Sequence, residues 1–253
     1  MRMNEQPGNR RVLAFLAHPD DAEILCAGTL IRLADAGWEV HIATVAAGDC
    51  GTTTLPPEQI VAIRRQEARN SAALIGGEYH CLEERDGLIV YDKPTLSKAI
   101  ELFRRIAPAL VFTHAPKDYM MDHEMVSLLG RAASFVYAAP NITATMPPRE
   151  GSRVPHLYYC DPLEGLDPLG HRVQPTTFVD ITAVMPRKTE MLACHASQRQ
   201  WLRAHHGMDE YIEAMQRHAA DRGSEAGFDF AEAFVQHRGH AYPHNDLLAE
   251  MFG

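Results

Sequence analysis

Residues 11–17, RVLAFLA, form a compact apolar run that breaks without a spacer into His18-Pro19-Asp20-Asp21. With no polar alternation beyond its first arginine, such a run suits a strand buried on both faces of a parallel sheet. After it, Ile24, Ala27, Ile31 and Ala34 recur at helical spacing and Gly37 closes the segment, which predicts a first helix over 21–36. The alternation then repeats: strand Val40–Ala46, loop to Pro57, helix Glu58–Ile75, short strand near Tyr79–Leu82, helix Thr95–Ile106 and strand Ala109–His114. Strand and helix in turn predict an α/β fold, with a mostly parallel sheet joined by right-handed crossovers.

Between Pro140 and Pro175 prolines and glycines interrupt every possible long element, so residues of about 140–175 read as a loop-rich insertion around one strand, His156–Cys160. From Thr182 the pattern returns to helix, with Lys188–His205 and Asp209–Ala220 as the expected pair and Gly207 as the stop between them. A length of 253 residues is compatible with a single domain: a core of about 10–140, the insertion, and C-terminal helices over about 180–253.

Composition excludes several classes. Scattered acidic residues, 33 against 24 basic ones, give a net charge of −9, which opposes binding to nucleic acid phosphates. The apolar run after the polar first eleven residues is too short for a signal-peptide core or a membrane span. Five widely spaced cysteines without a CxxC suggest neither a disulfide framework nor a thiolate metal site, and a cytoplasmic setting is expected.

In open parallel sheets ligands bind beyond the carboxyl ends of the strands. Two polar stretches follow apolar strands there: His18 to Asp21, and His114 to His123. A strand-to-helix turn can bring His18 and Asp21 to one point while Asp20 points elsewhere. Two adjacent carboxylates at a buried strand end favour a cation, although Asp20 and Asp21 could instead cap the helix. The second stretch adds Asp118, Asp122 and His123, the last opening an apolar-periodic helix. One added imidazole completes a His/Asp/His set with room for water, the open coordination of catalytic zinc. The markers of dinucleotide binding, P-loop hydrolysis, serine hydrolases and zincins are all missing from the sequence.

With these residues in place the chain resembles the PIG-L/LmbE family of zinc-dependent N-deacetylases. Ala17-His18-Pro19-Asp20-Asp21-Ala22-Glu23 after the first strand carries the resemblance, and Asp122-His123 matches the end of the family's second motif, His-Pro-Asp-His. Arg64 with Glu67, Asp86 with Gly87, and Lys188 with His195, Ser197 and Gln198 extend it along the chain. The resemblance implies a Rossmann-like fold in which His18, Asp21 and His123 hold one Zn2+ and Asp20 is the catalytic base toward water. It implies removal of an acetyl group from a small-molecule amino-sugar conjugate of the N-acetylglucosamine type, and homo-oligomers such as trimers or hexamers.

Candidate substrate contacts are Arg64, Asp86, Asp118, Asp122 and His195, set against plain readings of Arg64 as an exposed helix arginine and Asp86 as a turn residue. The loop from Gly48 to Pro57 would form part of the rim. Trp201 is either a sugar platform or core.

The sequence departs from the family at one position that matters. Met120 and Met121 stand where many members have the His and Pro of the second motif, and a thioether cannot protonate a leaving amine. Asp20 then serves as both base and acid, or His114, His195, His206 or His240 fills the gap, or turnover is slow. A divergent amidase on another N-acyl substrate and a metal-bearing glycan-binding protein are the alternatives.

Overall fold

The computed structural model describes residues 9–142, 145–199, 202 and 211–253. Seven strands form one sheet: β1 (Arg11–Leu16), β2 (Glu39–Ala46), β3 (Glu78–Glu84), β4 (Leu110–Thr113), β5 (His156–Cys160), β6 (Thr177–Asp180) and β7 (Ala231–Gln236). Their spatial order is β3-β2-β1-β4-β5-β7-β6. The first five run parallel, and β7 is antiparallel to both β5 and β6. Helices α1 (Asp21–Leu25), α2 (Ala27–Asp35), α3 (Pro57–Ala73), α4 (Lys93–Ile106), α5 (Met121–Val136), α6 (Met185–Ala193), α7 (Tyr211–Ala226) and α8 (Leu247–Phe252) complete it. Alternate side chains of β1 enter two separate cores. Val12, Ala14 and Leu16 pack with α2 and α6 residues, whereas Leu13 and Phe15 pack with α4 and α5 residues. Burial on both faces explains why β1 reads as an unbroken apolar run.

Chain order turns back at β1, which lies between β2 and β4. A crevice forms where neighbouring crossovers leave a sheet in opposite directions, so the loops after β1 and β4 meet at this point.

Three features differ from the sequence expectation. The helix expected over 21–36 breaks at Cys26, whose backbone (φ −147°, ψ 5°) is not helical. The break exposes a fresh helix start to Glu232 on β7, which accepts from the Gly28 and Thr29 N–H groups, both at 2.7 Å, and is paired with Lys188 at 2.5 Å. A buried carboxylate at a helix N-terminus satisfies donors that would otherwise be stranded. The C-terminal part is not wholly helical, since it contains β7, and the sheet gains β6 just after the insertion. The helix expected over 188–205 ends at Ala193, and residues 196–199 are helical again. Trp201, His206 and Gly207 lie outside the described residues.

Helix α7 is anchored by a buried two-point contact: Arg222 donates from Nε and one terminal nitrogen to the Asp161 carboxylate at 2.7 and 2.8 Å. That contact places Tyr211, at the other end of α7, over the strand β1 crevice. His218 lies one turn away, 3.5 Å from Asp161, whose charge is already taken up by Arg222. Burial, then the charges of Lys188 and Arg222, push the His218 imidazole down to about 4. A histidine at its ordinary value near 6.5 in the unfolded chain binds a proton there first. Folding therefore loses up to roughly 3 kcal/mol as pH falls from 6.5 to 4. Thermal unfolding of the parent and of His218→Leu between pH 7 and 4 checks this: the parent should lose more stability, and parallel curves would contradict it.

Candidate active site

The turn after β1 sets the geometry. Asp20 sits at the N-cap position of α1 with φ 105°, a left-handed conformation that costs a non-glycine residue of order 1–3 kcal/mol, and it makes no side-chain cap hydrogen bond. Asp21 turns its carboxylate back, so that Oδ2 accepts from the His18 N–H at 2.7 Å. Neither aspartate caps the helix through its side chain, which disposes of the capping alternative. The turn instead aims the two carboxylates in different directions.

Asp21 faces the tip of β4 and the start of α5. Its Oδ2 lies 3.6 Å from His18 Nδ1, and its Oδ1 lies 3.6 Å from His123 Nε2. These separations are too long for hydrogen bonds and are those of donor atoms able to share one ion. His18, Asp21 and His123 offer three buried ligand atoms within 4.8 Å of one another.

The opposite ring nitrogens are both engaged. His18 Nε2 is 3.0 Å from Asp122 Oδ2, and His123 Nδ1 is 2.9 Å from Asp118 Oδ1. Carboxylates in that position hold an imidazole in one orientation and leave its other nitrogen bare for a metal. Asp122 also accepts from the Gly87 N–H at 2.6 Å, so the loop after β3 braces it. Asp118 and Asp122, expected at the substrate, thus spend their carboxylates on the two imidazoles.

The electrostatics ask for a cation. Burial opposes a charged His18, yet the hydrogen bond to Asp122 and the charge of nearby Asp21 outweigh it and push the imidazole up to about 10. Burial would also raise Asp21, but the charge of His123 holds it well below the usual carboxylate range. The site thus recruits protons where no other positive charge is present. The donor set, its bracing carboxylates and this demand for positive charge all fit a divalent ion.

His114, at the tip of β4, completes the cluster. It is fully buried, stacks on His123 with ring centroids 3.8 Å apart, and accepts from the Ala17 N–H through Nε2 at 3.0 Å. Its Nε2 also lies 3.2 Å from Asp21 Oδ2, and its Nδ1 has no hydrogen-bond partner. Burial, then the charge of His123, push His114 down to about 4, which makes it a neutral ring rather than a proton store.

Asp20 faces the other way, into a pocket of its own. Tyr211 donates to its Oδ2 at 2.6 Å, and an Arg64 nitrogen lies 3.7 Å away. Burial pushes its carboxyl up, against the opposing charge of Arg64. A buried carboxylate with a raised pKa is a better proton acceptor. Arg64 is buried rather than exposed, donating to the carbonyls of Pro19 at 2.8 Å and Gly48 at 3.3 Å. Gly48 has φ +84°, and a Cβ there would come within 2.6 Å of the guanidinium, so the arginine needs glycine at that position.

Asp86 accepts from the N–H groups of Gly48 and Cys50 and stands 3.9 Å from Arg64, bracing the loop after β2. His195 is fully buried 3.3 Å from Glu23, behind Asp20. Ser197 donates to Glu67 from both N–H and Oγ, tying this segment to α3. His240 is exposed. Tyr211 has no sequence signal, because 191 residues separate it from Asp20.

Fold and site together define the class: a Rossmann-like α/β protein with a candidate metal centre at the carboxyl edge of its sheet, beside a strained, buried carboxylate. Residues 13–134, from within β1 nearly to the end of α5, match the family profile described as GlcNAc-PI de-N-acetylase. The chain is 27% identical over 204 residues to the diacetylchitobiose deacetylase of Thermococcus kodakarensis, covering 75% of this chain and 70% of that one. It is 25% identical over 206 residues to the 4-oxalmesaconate hydratase of Pseudomonas putida, covering 77% and 76%. The N,N'-diacetylchitobiose deacetylase structure from Pyrococcus horikoshii superposes with a TM-score of 0.77 at 26% identity, covering 94% and 88%.

No helix among the described residues is long and apolar enough to cross a membrane.

Proposed function

We propose that this chain is a metal-dependent N-deacetylase that hydrolyses the acetamide of an amino-sugar conjugate, with His18, Asp21 and His123 as metal ligands and Asp20 as the catalytic residue. The observation that carries the reading is the divergence of two adjacent carboxylates. Asp21 joins two imidazoles 3.6 Å away, and Asp20 is held free of that set by Tyr211 and Arg64. The family match and the deacetylases among its relatives support it. A bound divalent ion, Zn2+ in our reading, supplies a water of lowered pKa and polarises the amide carbonyl.

The chain's own groups handle the protons. Asp20 accepts one proton from water as its oxygen bonds to the acetyl carbon. The carbon–nitrogen bond then breaks, and the same proton passes to the amine nitrogen, leaving a free amino sugar and acetic acid, which releases the second water proton to solvent as acetate. Asp20 takes both roles because Met120 has no proton to give and His114 is neutral. Asp118 and Asp122 orient the two ligand imidazoles. Arg64, Asp86 and His195 shape the pocket around Asp20, with substrate hydroxyls as their remaining partners.

Orientation by these carboxylates has a measurable size. Asp122→Asn and Asp118→Asn are each expected to lower metal affinity or activity by about 10–100-fold, the usual cost of losing an outer carboxylate. Metal titration of the purified variants checks this, and affinities equal to the parent would refute it. Tyr211→Phe removes one donor to Asp20 and should lower kcat more than it raises KM, since Tyr211 reaches substrate only through Asp20.

A second reading rests on Met120 and on the hydratase relative. Adding water to a carbon–carbon double bond uses the same water-activating groups and has no leaving amine to protonate. Acetate release from a panel of N-acetylated sugars by the metal-loaded protein separates the readings. Steady acetate release supports the deacetylase, and release of another acid from other N-acyl substrates supports a divergent amidase. Loss of a conjugated enoate chromophore supports a hydratase. Saturable sugar binding without product supports a glycan-binding protein. A cytoplasmic setting and a trimer or hexamer belong to the same proposal.

A further inference from the structure

A second group of metal-ligand side chains lies on β2 and β3, away from the crevice. Residues 41 and 43 of β2 and residues 78 and 80 of β3 share one face of the sheet, because His41 registers with Glu78 and Ala43 with His80. His41 Nδ1 and His80 Nε2 are 3.1 Å apart, and Glu78 Oε2 lies 3.7 Å from the first and 3.9 Å from the second. A point equidistant from these three atoms lies about 2.1 Å from each, within the range of zinc–nitrogen and zinc–oxygen bonds.

The tautomer is prepared for this use. His41 Nε2 lies 3.0 Å from Glu39 Oε1, and the tautomer that donates to this carboxylate leaves Nδ1 bare, 3.1 Å from His80 Nε2. That is the carboxylate–histidine arrangement which orients a ligand imidazole. His41 is buried, His80 is half-buried, and Glu78 is largely exposed, so an ion reaches the group from solvent. Glu39 and Glu78 bring two negative charges. Arg65, Arg69, Lys98 and Arg105 line the same surface hollow as His80, with Arg65 paired to Glu83 and Lys98 to Glu84.

We infer that His41, His80 and Glu78 form a second site for a borderline transition-metal ion such as Zn2+, with Glu39 orienting His41, which clamps the edge strand β3 to β2. Two imidazoles and one carboxylate with open positions suit zinc rather than calcium or magnesium, which favour all-oxygen ligands. In the ion-free chain one proton bridges the two imidazoles. Binding moves it to His80 Nδ1 and leaves both facing nitrogens free to coordinate. This site shares no residue with the deacetylase reading.

Titrating the chelator-stripped, full-length protein with Zn2+ alone tests it. The parent should take up two equivalents per chain, and His80→Asn and Glu78→Gln should each take up one. His123→Ala should keep one equivalent, and Zn2+ should still raise its thermal midpoint. That rise should vanish in the His123→Ala/His80→Asn double variant. A parent that binds one equivalent, or variants of His80 and Glu78 that still bind two, overturns the second site and leaves the deacetylase reading standing. Glu78→Gln alters an exposed side chain, so the test survives even if His80→Asn folds poorly. Acetate release by Glu78→Gln should match the parent.

Discussion

Asp20→Asn is expected to lower kcat/KM by about 10²–10⁴-fold, the usual contribution of a positioned acid–base group, while bound metal at the His18/Asp21/His123 site stays at one equivalent. The two readouts separate because Asp20 and Asp21 look in opposite directions. Asn keeps the shape and tolerates the left-handed backbone at φ 105° better than most residues, and its carbonyl still accepts the Tyr211 hydroxyl. What it cannot do is take a proton from water and return it to nitrogen. Measuring acetate release against metal content on the same sample decides the matter. Turnover within tenfold of the parent would remove Asp20 from the mechanism, and loss of the metal would mean that Asp20 is a ligand.

His18→Ala is expected to act through the metal itself. It removes one of three ligand atoms and leaves Asp122, which now pairs with His18 Nε2 at 3.0 Å, buried without that partner. Metal stoichiometry should fall by one equivalent per chain, and acetate release should drop below detection. Elemental analysis alongside the activity assay checks both. A variant that retained the ion at parental affinity would show that His18 is not a ligand. The contrast with Asp122→Asn is informative, since that variant keeps all three ligands and should lose only the orientation of one.

Much of the fold was legible in the sequence because burial on two faces writes itself locally. Residues 11–17 have no polar alternation, since β1 faces a core on each side, and the first four strands alternate with helices. The strands that escaped notice are those whose pairing is distant. Residues 231–236, AEAFVQ, carry an acidic residue and three small or polar ones. They are a strand because they lie between β5 and β6, some 50 to 75 residues earlier in the chain. The break at Cys26 escaped for the same reason. Periodicity is continuous across it, and only Glu232, more than 200 residues away, makes a second helix start favourable.

By itself the sequence determined the chemistry available at the strand tips: an imidazole and two carboxylates after β1, another carboxylate–imidazole pair after β4, and a thioether at residue 120. It could do so because ligand atoms separated by a single turn are placed by local backbone geometry. Tertiary structure alone decided which group does what. It put Tyr211 and Arg64 on Asp20, turned Asp118 and Asp122 toward imidazoles, buried His114 against His123, and brought His41 to His80 across two strands. Hydrogen bonds and charges act through space over a few ångströms, and the packing of the sheet and helices, not spacing along the chain, sets which groups come that close.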